Sequence, residues 1–367
     1  MLFAYTYVPH PMEKMQEFVE YIFFQVWCQA PSGQPFSFDL FNAKPELKDV
    51  VEAFHFSDAR GADFFNGHME KIYGLFAGLS PAQITQLQAW FKGNNDIAGL
   101  CRNDPAVAVA RYADLDAFDQ PLSEALAAFF KGLYAKDLLN LAPLKAVIGE
   151  IDDHHSNFTQ INRQGKCPFC GINDMKGIYH SKREAYDHYL PKSRYPFNSI
   201  NFRNLAPACH ECNSTYKQSR DPLYNPRDPL QDRTGGRRKS FYPYHTAPYA
   251  IELEISLNSP DWTHITPNDV TLSTGPEALR EKIDTWLDVY GIEERYTGKC
   301  CCENDGKYWI EQVLDESQNN GKTPQECLST ISRQAELKPF AEVNFLKRPF
   351  LEACQKAGVF SIPTSRH

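Results

Sequence analysis

The sequence lacks the features that mark a membrane or secreted protein. None of its apolar runs reaches the roughly 18 residues that span a bilayer, and the longest candidate, 21–28, is short and interrupted by Gln25. The first residues lack the basic and apolar regions of a signal peptide, so a cytoplasmic protein is expected. Internal repeats and low-complexity tracts are also absent, which argues against solenoids and compositionally biased linkers.

Cysteine is plentiful, but its use does not fit a disulfide scaffold. The chain has 367 residues and 11 cysteines, of which four sit in metal-ligand spacing while the others are scattered. A reducing compartment suits this usage. The length allows two or three domains, and 42% hydrophobic and 13% aromatic residues are typical of a globular chain.

Positive charge is in deficit overall but concentrated in the middle of the chain. The net charge of −8 alone argues against nucleic-acid binding. Residues 161–240, however, contain 15 Lys and Arg against 7 Asp and Glu, a balance of +8, which leaves the remainder with 23 basic and 39 acidic residues. A basic segment within an acidic chain is the pattern expected of a phosphate-binding site. The alternative is that these side chains only solvate loops.

Three consecutive domains are predicted from the change of sequence character along the chain. Residues 1–150 carry apolar residues at three- and four-residue intervals, as in 120–139, which predicts a helical domain. Residues 151–245 are rich in Pro, Gly, Tyr, Asn and Arg and predict an irregular central module. Residues 246–367 return to helical periodicity after a short alternating strand at Ile251. The expected fold is mainly α, with helical domains flanking the module.

Two Cys-x-x-Cys pairs give the most specific signal in the central module. Each such turn presents two sulfurs to one ion, and two turns close a tetrahedral zinc site. The 38 residues between the pairs exceed an ordinary zinc-finger loop, so the zinc is expected to staple the ends of a larger insertion. With four thiolate ligands the zinc has no open position and is structural. A redox motif is the main rival, but it lacks its usual βαβ setting. The four residues are Cys167, Cys170, Cys209 and Cys212.

An Asp-His dipeptide between the two cysteine pairs supplies groups for a second metal site. Adjacent residues on a strand point to opposite faces, so one can serve a metal and the other a nucleophile. Asp187 offers a hard oxygen suited to Mg²⁺ or Mn²⁺. His188, with an ordinary pKa of about 6.5, can accept a proton from water. Such a dipeptide alone is more often structural, and its place between the zinc pairs is what favours function.

The order of these residues resembles the HNH endonucleases, a family with a ββα-metal fold. The resemblance covers about residues 165–220 and rests on Asp187-His188, Asn204-Leu205, Cys209-x-x-Cys212-Asn213 and Lys217. In that family the first strand carries Asp-His, a loop carries the central Asn, and the helix after the second strand carries the last metal ligand. Asn213 stands where many members have His.

The resemblance implies specific roles for four residues. His188 would be the general base, and Asn204 would orient it by hydrogen bonding across the loop. Asp187 and Asn213 would hold one Mg²⁺ or Mn²⁺ ion that assists hydrolysis of DNA, with double-stranded DNA as the expected substrate. The products would carry 5′-phosphate and 3′-hydroxyl ends. Defence nucleases and restriction enzymes place such a module beside helical domains, so an antiphage role is an analogy.

Basic residues around the motif are the predicted nucleic-acid contacts. Lys217 follows Asn213 by one helical turn, although a solvated helix lysine explains it nearly as well. A basic arm from Gln218 to Pro243 would extend the phosphate track. The predicted contacts are Lys192, Arg194, Arg203, Lys217, Arg237, Arg238 and Lys239.

Two other functional hypotheses stay open. One is a non-catalytic, zinc-dependent nucleic-acid-binding module, which the intact set of Asp187, His188 and Asn213 disfavours. The other is a nuclease effector held silent until a protein partner, such as an ATPase, releases it. The acidic run 152–155 (Asp-Asp-His-His) is interpreted as a solvated polar stretch.

Overall fold

The computed structural model describes residues 1–225, 236–247 and 249–361. Over these ranges the chain is mainly helical and its two sheets are small, as the sequence predicts. Residues 226–235 of the predicted basic arm lie outside the described part. Within that part, no helix is both long and apolar enough to cross a membrane.

The chain divides into two compact units, each assembled from separate stretches of sequence. The larger unit comprises Tyr5–Arg163 and Lys176–Thr246. The smaller unit comprises Met1–Ala4, Gln164–Met175 and Ala247–His367. These units do not coincide with the three consecutive domains expected from the sequence, and that three-part division stays a prediction.

The described part of the larger unit contains ten α-helices, one hairpin-like sheet and several short 3-10 and π-helical segments. The helices are α1 (Glu13–Tyr21), α2 (Pro45–His55), α3 (Arg60–Phe76), α4 (Pro81–Asn95), α5 (Ile97–Cys101), α6 (Tyr112–Phe118), α7 (Gln120–Gly132), α8 (Lys136–Leu139), α9 (Ala142–Ile148) and α10 (Ile151–Ile161). The sheet pairs β1 (Ala185–His188) with β2 (Leu205–Ala208) in antiparallel orientation.

Local sequence explains where these helices begin, and aromatic packing explains how they are held. Helix α4 starts after Ser80, which accepts a hydrogen bond from the Gln83 amide while the Gln83 side chain accepts one from the Ser80 amide. The core beneath is aromatic, with the rings of Phe23 and Phe91 stacked at 4.2 Å between centroids. The indole of buried Trp27 donates to the Met69 carbonyl at 3.0 Å, so its polar atom is satisfied.

The smaller unit contains a second sheet and five described helices. Strand β3 (Glu252–Leu257) pairs antiparallel with β4 (Val270–Gly275), which confirms the strand predicted near Ile251. The helices are α11 (Arg280–Tyr290), α12 (Ile292–Cys301), α13 (Tyr308–Asn320), α14 (Pro324–Leu337) and α15 (Asn344–Lys356). Helix α15 packs against β3, and its buried face includes Phe350 and Leu351.

Candidate functional site

The first cysteine pair lies in a tight turn supported by backbone hydrogen bonds. The Gly171 amide donates to the Cys167 carbonyl at 2.7 Å, and Gly171 has a φ of +68°, which favours glycine there. The Tyr296 hydroxyl donates to the Cys170 carbonyl at 2.8 Å. The Trp286 indole donates to the Phe169 carbonyl at 2.6 Å. Buried donors from α11 and α12 therefore fix the backbone of this turn.

The second cysteine pair lies where a short π-helical segment, Glu211–Lys217, begins after β2, with Cys209 before the segment and Cys212 within it. The Cys212 amide donates to the sulfur of Cys209 at 3.4 Å. The Asn213 amide donates to the Cys209 carbonyl at 3.0 Å. Amide donors aimed at a sulfur stabilise its thiolate form, which is the form that binds a metal.

The four cysteines form a candidate metal site. The sulfur atoms of Cys167, Cys170, Cys209 and Cys212 all lie within 4.8 Å of one another, and all four residues are buried. Four thiolates at such distances fit the tetrahedral coordination of zinc. In the described part of the chain, no second group of three or more His, Cys, Asp or Glu side chains converges in this way.

The structure places Asp187 and His188 at the end of β1. The register sets Asp187 opposite Ala206 and His188 opposite Leu205. A loop then carries the chain to β2, and the π-helical segment follows. This strand–loop–strand–helical order is the one that the HNH resemblance implies.

Asp187 forms a buried ion pair with Lys217. The Lys217 ammonium lies 2.9 Å from Oδ1 of Asp187, and the side chains are 0% and 3% exposed. The same ammonium donates to the His188 carbonyl at 2.8 Å. Burial raises the pKa of the Asp187 carboxyl, and the Lys217 ammonium opposes that rise. Lys217, predicted to reach a phosphate, thus contacts Asp187 in place of solvent.

One oxygen of this carboxylate is left over. Oδ2 of Asp187 is buried and makes no hydrogen bond within the described residues. A buried carboxylate oxygen without a partner is costly unless a donor or cation compensates it. The atom therefore suits a bound cation.

His188 is half-buried, and its ring is held by a hydrogen bond to backbone. Its Nε2 lies 2.8 Å from the carbonyl oxygen of Ser199, so Nε2 carries the proton and Nδ1 is left as the acceptor. The ring of Tyr134 packs edge-on against it, with 4.9 Å between centroids. Burial and the nearby Lys192 ammonium hold the pKa of His188 well below its usual range. The imidazole is therefore neutral at physiological pH, which is the form that accepts a proton.

Asn204 orients the loop that carries the partner of His188. Its Oδ1 accepts from the Leu190 amide at 2.7 Å, and its Nδ2 donates to the Leu190 carbonyl at 3.0 Å and to the Asn198 carbonyl at 3.3 Å. These bonds tie both ends of the loop between β1 and β2. Asn198 directly precedes Ser199, so Asn204 acts on His188 through the backbone and has no direct bond to its ring.

The loop is also anchored to the helical part of the larger unit. The Ser199 hydroxyl donates to the Phe130 carbonyl at 2.5 Å. The Asn198 side chain donates to the Asn94 carbonyl at 3.0 Å. Phe197 is fully buried although its φ is +77°, a conformation that non-glycine residues rarely adopt. Sequence reasoning missed Ser199 and Tyr134, since neither belongs to a recognisable motif.

Asn213 and the predicted nucleic-acid contacts differ in how exposed their side chains are. Asn213 is half-buried in the π-helical segment. Lys192 is half-buried, with its ammonium 5.6 Å from the Tyr134 ring centroid. Arg194 and Arg203 are exposed, the former donating to the Ser219 carbonyl at 2.6 Å.

The last three predicted contacts lie after the part of the arm that is not described. Arg237 is half-buried and donates to the Val107 carbonyl at 3.3 Å. The Arg238 guanidinium donates to the Asp221 carbonyl at 2.7 Å. Lys239 is exposed. Arg237 and Arg238 thus hold the chain to neighbouring backbone, and Lys239 is the most exposed of the three residues.

The Asp-Asp-His-His run differs from its interpretation as a solvated stretch. Asp152 and Asp153 are exposed, but His154 and His155 are 2% and 7% exposed. His154 contacts the Tyr186 hydroxyl through Nδ1, and its Nε2 lies 3.0 Å from the Val8 carbonyl. The histidines lie on the apolar face of α10, and their spacing of three and four residues from Phe158 is the signal that could have shown this.

Comparisons with known proteins found similarity over a part of this chain. No protein-family model matches it, and no solved structure matches it. It is similar to the Septu protein PtuB of Bacillus thuringiensis, with 36% identity over 64 residues. The matched stretch spans 17% of this chain and 24% of that relative, so the chain covers about a quarter of the relative's length.

Proposed function

We propose that the protein is a metal-dependent endonuclease of the HNH type that hydrolyses double-stranded DNA. The observation that carries this is the 2.8 Å contact between Nε2 of His188 and the Ser199 carbonyl oxygen. Because Nε2 donates to the Ser199 carbonyl, Nδ1 is the free acceptor that a general base needs. The strand–loop–strand–helical order around His188 supports the same assignment.

The reaction that follows is in-line hydrolysis of a phosphodiester. Nδ1 of His188 takes a proton from water as the water oxygen bonds to phosphorus. The bond from phosphorus to the 3′ oxygen breaks, and solvent protonates that oxygen, which leaves 5′-phosphate and 3′-hydroxyl ends. Asn204 is a positioning residue here, because it fixes the loop whose Ser199 carbonyl holds the imidazole.

Asp187 and Asn213 are the proposed holders of Mg²⁺ or Mn²⁺. The partnerless Oδ2 of Asp187 suits a cation, and the Asn213 amide would add a neutral oxygen ligand. A divalent ion supplies neutralisation of charge on the scissile phosphate when bound. Lys217 would hold the other carboxylate oxygen of Asp187 in a fixed place.

The cysteine site is proposed to bind structural zinc. Four buried sulfurs leave no open coordination position for substrate, so the ion stabilises the fold and does not take part in hydrolysis. Arg194, Arg203 and Lys239, which are exposed, are the proposed backbone phosphate contacts among the predicted set.

A role in antiphage defence is proposed from the similarity to the Septu protein PtuB. A regulatory protein partner, such as an ATPase, is part of the proposal. The excess of acidic residues outside 161–240 suits surfaces that restrain the nuclease or dock that partner.

One observation favours a second candidate, a zinc-dependent module that binds nucleic acid without cleaving it. The ion pair with Lys217 already neutralises Asp187, as in a purely structural buried pair. Such a module would bind DNA equally well with and without a divalent ion.

The test is incubation of the purified protein with supercoiled plasmid in Mg²⁺ or Mn²⁺, beside an EDTA control. We expect nicked or linear DNA only with the metal. DNA ligase should reseal the nicks without prior phosphorylation, because the ends are 5′-phosphate and 3′-hydroxyl. DNA binding without metal-dependent cleavage would support the non-catalytic module instead.

A further inference from the structure

The larger unit contains a cavity of about 1010 Å³ beside the proposed catalytic histidine. Its walls come from the segment around α8–α10 and from residues 180–185, which lead into β1. No predicted site residue lines it. This volume lies at the upper end of the roughly 300–1000 Å³ that is typical of ligand pockets, so the cavity is large for a single small ligand.

The cavity is adjacent to His188 through one shared side chain. Tyr134 lines the cavity, and the same ring packs edge-on against the His188 ring at 4.9 Å between centroids. Ala185, the first residue of β1, also lines the cavity. A ligand in the cavity would therefore reach the proposed general base across the width of one aromatic ring.

The wall carries more cations than its carboxylates neutralise. Lys145 pairs with Glu150 at 2.6 Å, and Arg183 pairs with Asp152 at 2.6 Å. Lys136 and Lys182 also line the cavity, and in the described chain neither has an ion-pair partner. Both are exposed, so two uncompensated ammonium groups face a ligand entering from solvent.

A buried histidine adds a polar contact on the same wall. His155 is only 7% exposed and lines the cavity. Within the described residues its ring nitrogens make no hydrogen bond, and its ring packs on Tyr186 at 6.5 Å between centroids. The ring nitrogens are not sealed from solvent, so a ligand in the cavity can hydrogen-bond to them.

We infer that this cavity seats a short stretch of the cleaved DNA strand next to the scissile phosphate. Lys136 and Lys182 contact backbone phosphates, and His155 hydrogen-bonds to the same stretch. An extended polyanion explains three features together: the uncompensated charge, the volume and the adjacency to His188. The inference rests on the proposed nuclease function and assigns binding residues that the motif does not contain.

The experiment is a binding titration with a double charge-reversal variant, Lys136→Glu with Lys182→Glu. A fluorescent DNA duplex is titrated in EDTA between about 50 and 200 mM salt, and binding is followed by anisotropy. The matched control is Lys71→Glu with Lys356→Glu, exposed lysines on α3 and α15 that change the net charge equally. Thermal melting checks that both variants are folded.

We expect the cavity variant to bind at least about tenfold more weakly and to lose about 0.9 from the salt slope per lost phosphate contact. The control should bind within about twofold of wild type, since its lysines lie outside the cavity. His155→Ala should weaken binding with the salt slope unchanged, because a neutral side chain releases no counterion. Equal binding by the cavity variant and the control overturns the inference.

Cleavage by the same proteins separates this inference from the nuclease proposal. If wild type cleaves DNA and the cavity variant binds and cleaves like the control, the cavity does not bind DNA, whereas the nuclease proposal is supported. If binding depends on the cavity lysines but wild type never cleaves, the nuclease proposal is wrong and the cavity still binds nucleic acid.

Discussion

The ammonium of Lys217 and the carboxylate of Asp187 form an ion pair of 2.9 Å from which solvent is almost wholly excluded. The pair joins the π-helical segment to the end of β1. It fixes one oxygen of Asp187 and leaves the other buried without a hydrogen bond. The Lys217 ammonium also donates to the His188 carbonyl, so one lysine holds the side chain of Asp187 and the backbone of His188.

Lys217→Met should destabilise the protein strongly, because it leaves a buried carboxylate without its cation. Removal of one partner from a buried pair costs about 3–5 kcal/mol. Urea unfolding would measure the loss, with Lys71→Met on the exposed face of α3 as the control that changes little. Unfolding free energies that match for the two variants would show that the pair contributes nothing.

A further variant separates the charge effect from packing. Asp187→Leu in the Lys217→Met background removes the stranded carboxylate, so it should recover part of the lost stability. No recovery would mean that Lys217→Met acts through lost packing.

Cys167→Ser should lower bound zinc and destabilise the fold together, because metal binding and folding are coupled at four-cysteine sites. Elemental analysis of purified protein should find one zinc per wild-type chain and less in the variant. Cys302→Ser, which changes an exposed cysteine, is the control and should keep both zinc and stability. Folded Cys167→Ser with full zinc content would refute the assignment.

Asp187→Asn and His188→Ala should respond differently to metal. Both should lose cleavage, His188→Ala by about 10²–10⁴-fold as expected for a general base. High Mn²⁺ should restore part of the rate only for Asp187→Asn, because that variant weakens metal binding. Cleavage rates measured over a series of Mn²⁺ concentrations would test this. Equal recovery of the rate in both variants would contradict the assignment of metal binding to Asp187 and of the general base to His188.

Asn204→Ala should weaken both the fold and catalysis. It leaves the buried amide and carbonyl of Leu190 without partners, and each such loss costs about 1–3 kcal/mol. Cleavage should fall further than binding, since the loop holding the Ser199 carbonyl is loosened. Asn157→Ala, at an exposed position on α10, should leave stability and cleavage near wild type. Unchanged cleavage by folded Asn204→Ala would exclude the positioning role.

Patterns local in sequence predicted much of the secondary structure. Apolar spacing indicated helices and alternation near Ile251 indicated β3, while the HNH resemblance implied a strand at Asp187-His188 and a second strand before the helical segment with Asn213. The two Cys-x-x-Cys pairs were identified by spacing, and their sulfurs do converge.

Contacts between distant residues could not be predicted in the same way. From sequence, Lys217 is interpreted as a solvated or phosphate-binding lysine. The residues around it do not reveal that its side chain contacts Asp187, thirty positions earlier. The cavity wall joins α8–α10 to residues 180–185, a pairing that only the tertiary fold creates. The two discontinuous units escaped prediction for the same reason, since each combines stretches far apart in sequence.

The most direct measurement compares wild type with His188→Ala on supercoiled plasmid in Mn²⁺. Circular dichroism and zinc content should first show that the two proteins are equally folded and metallated. We expect metal-dependent cleavage by wild type that is lost in His188→Ala, while both proteins bind the same duplex with similar affinity. Equal cleavage by the two proteins would contradict it.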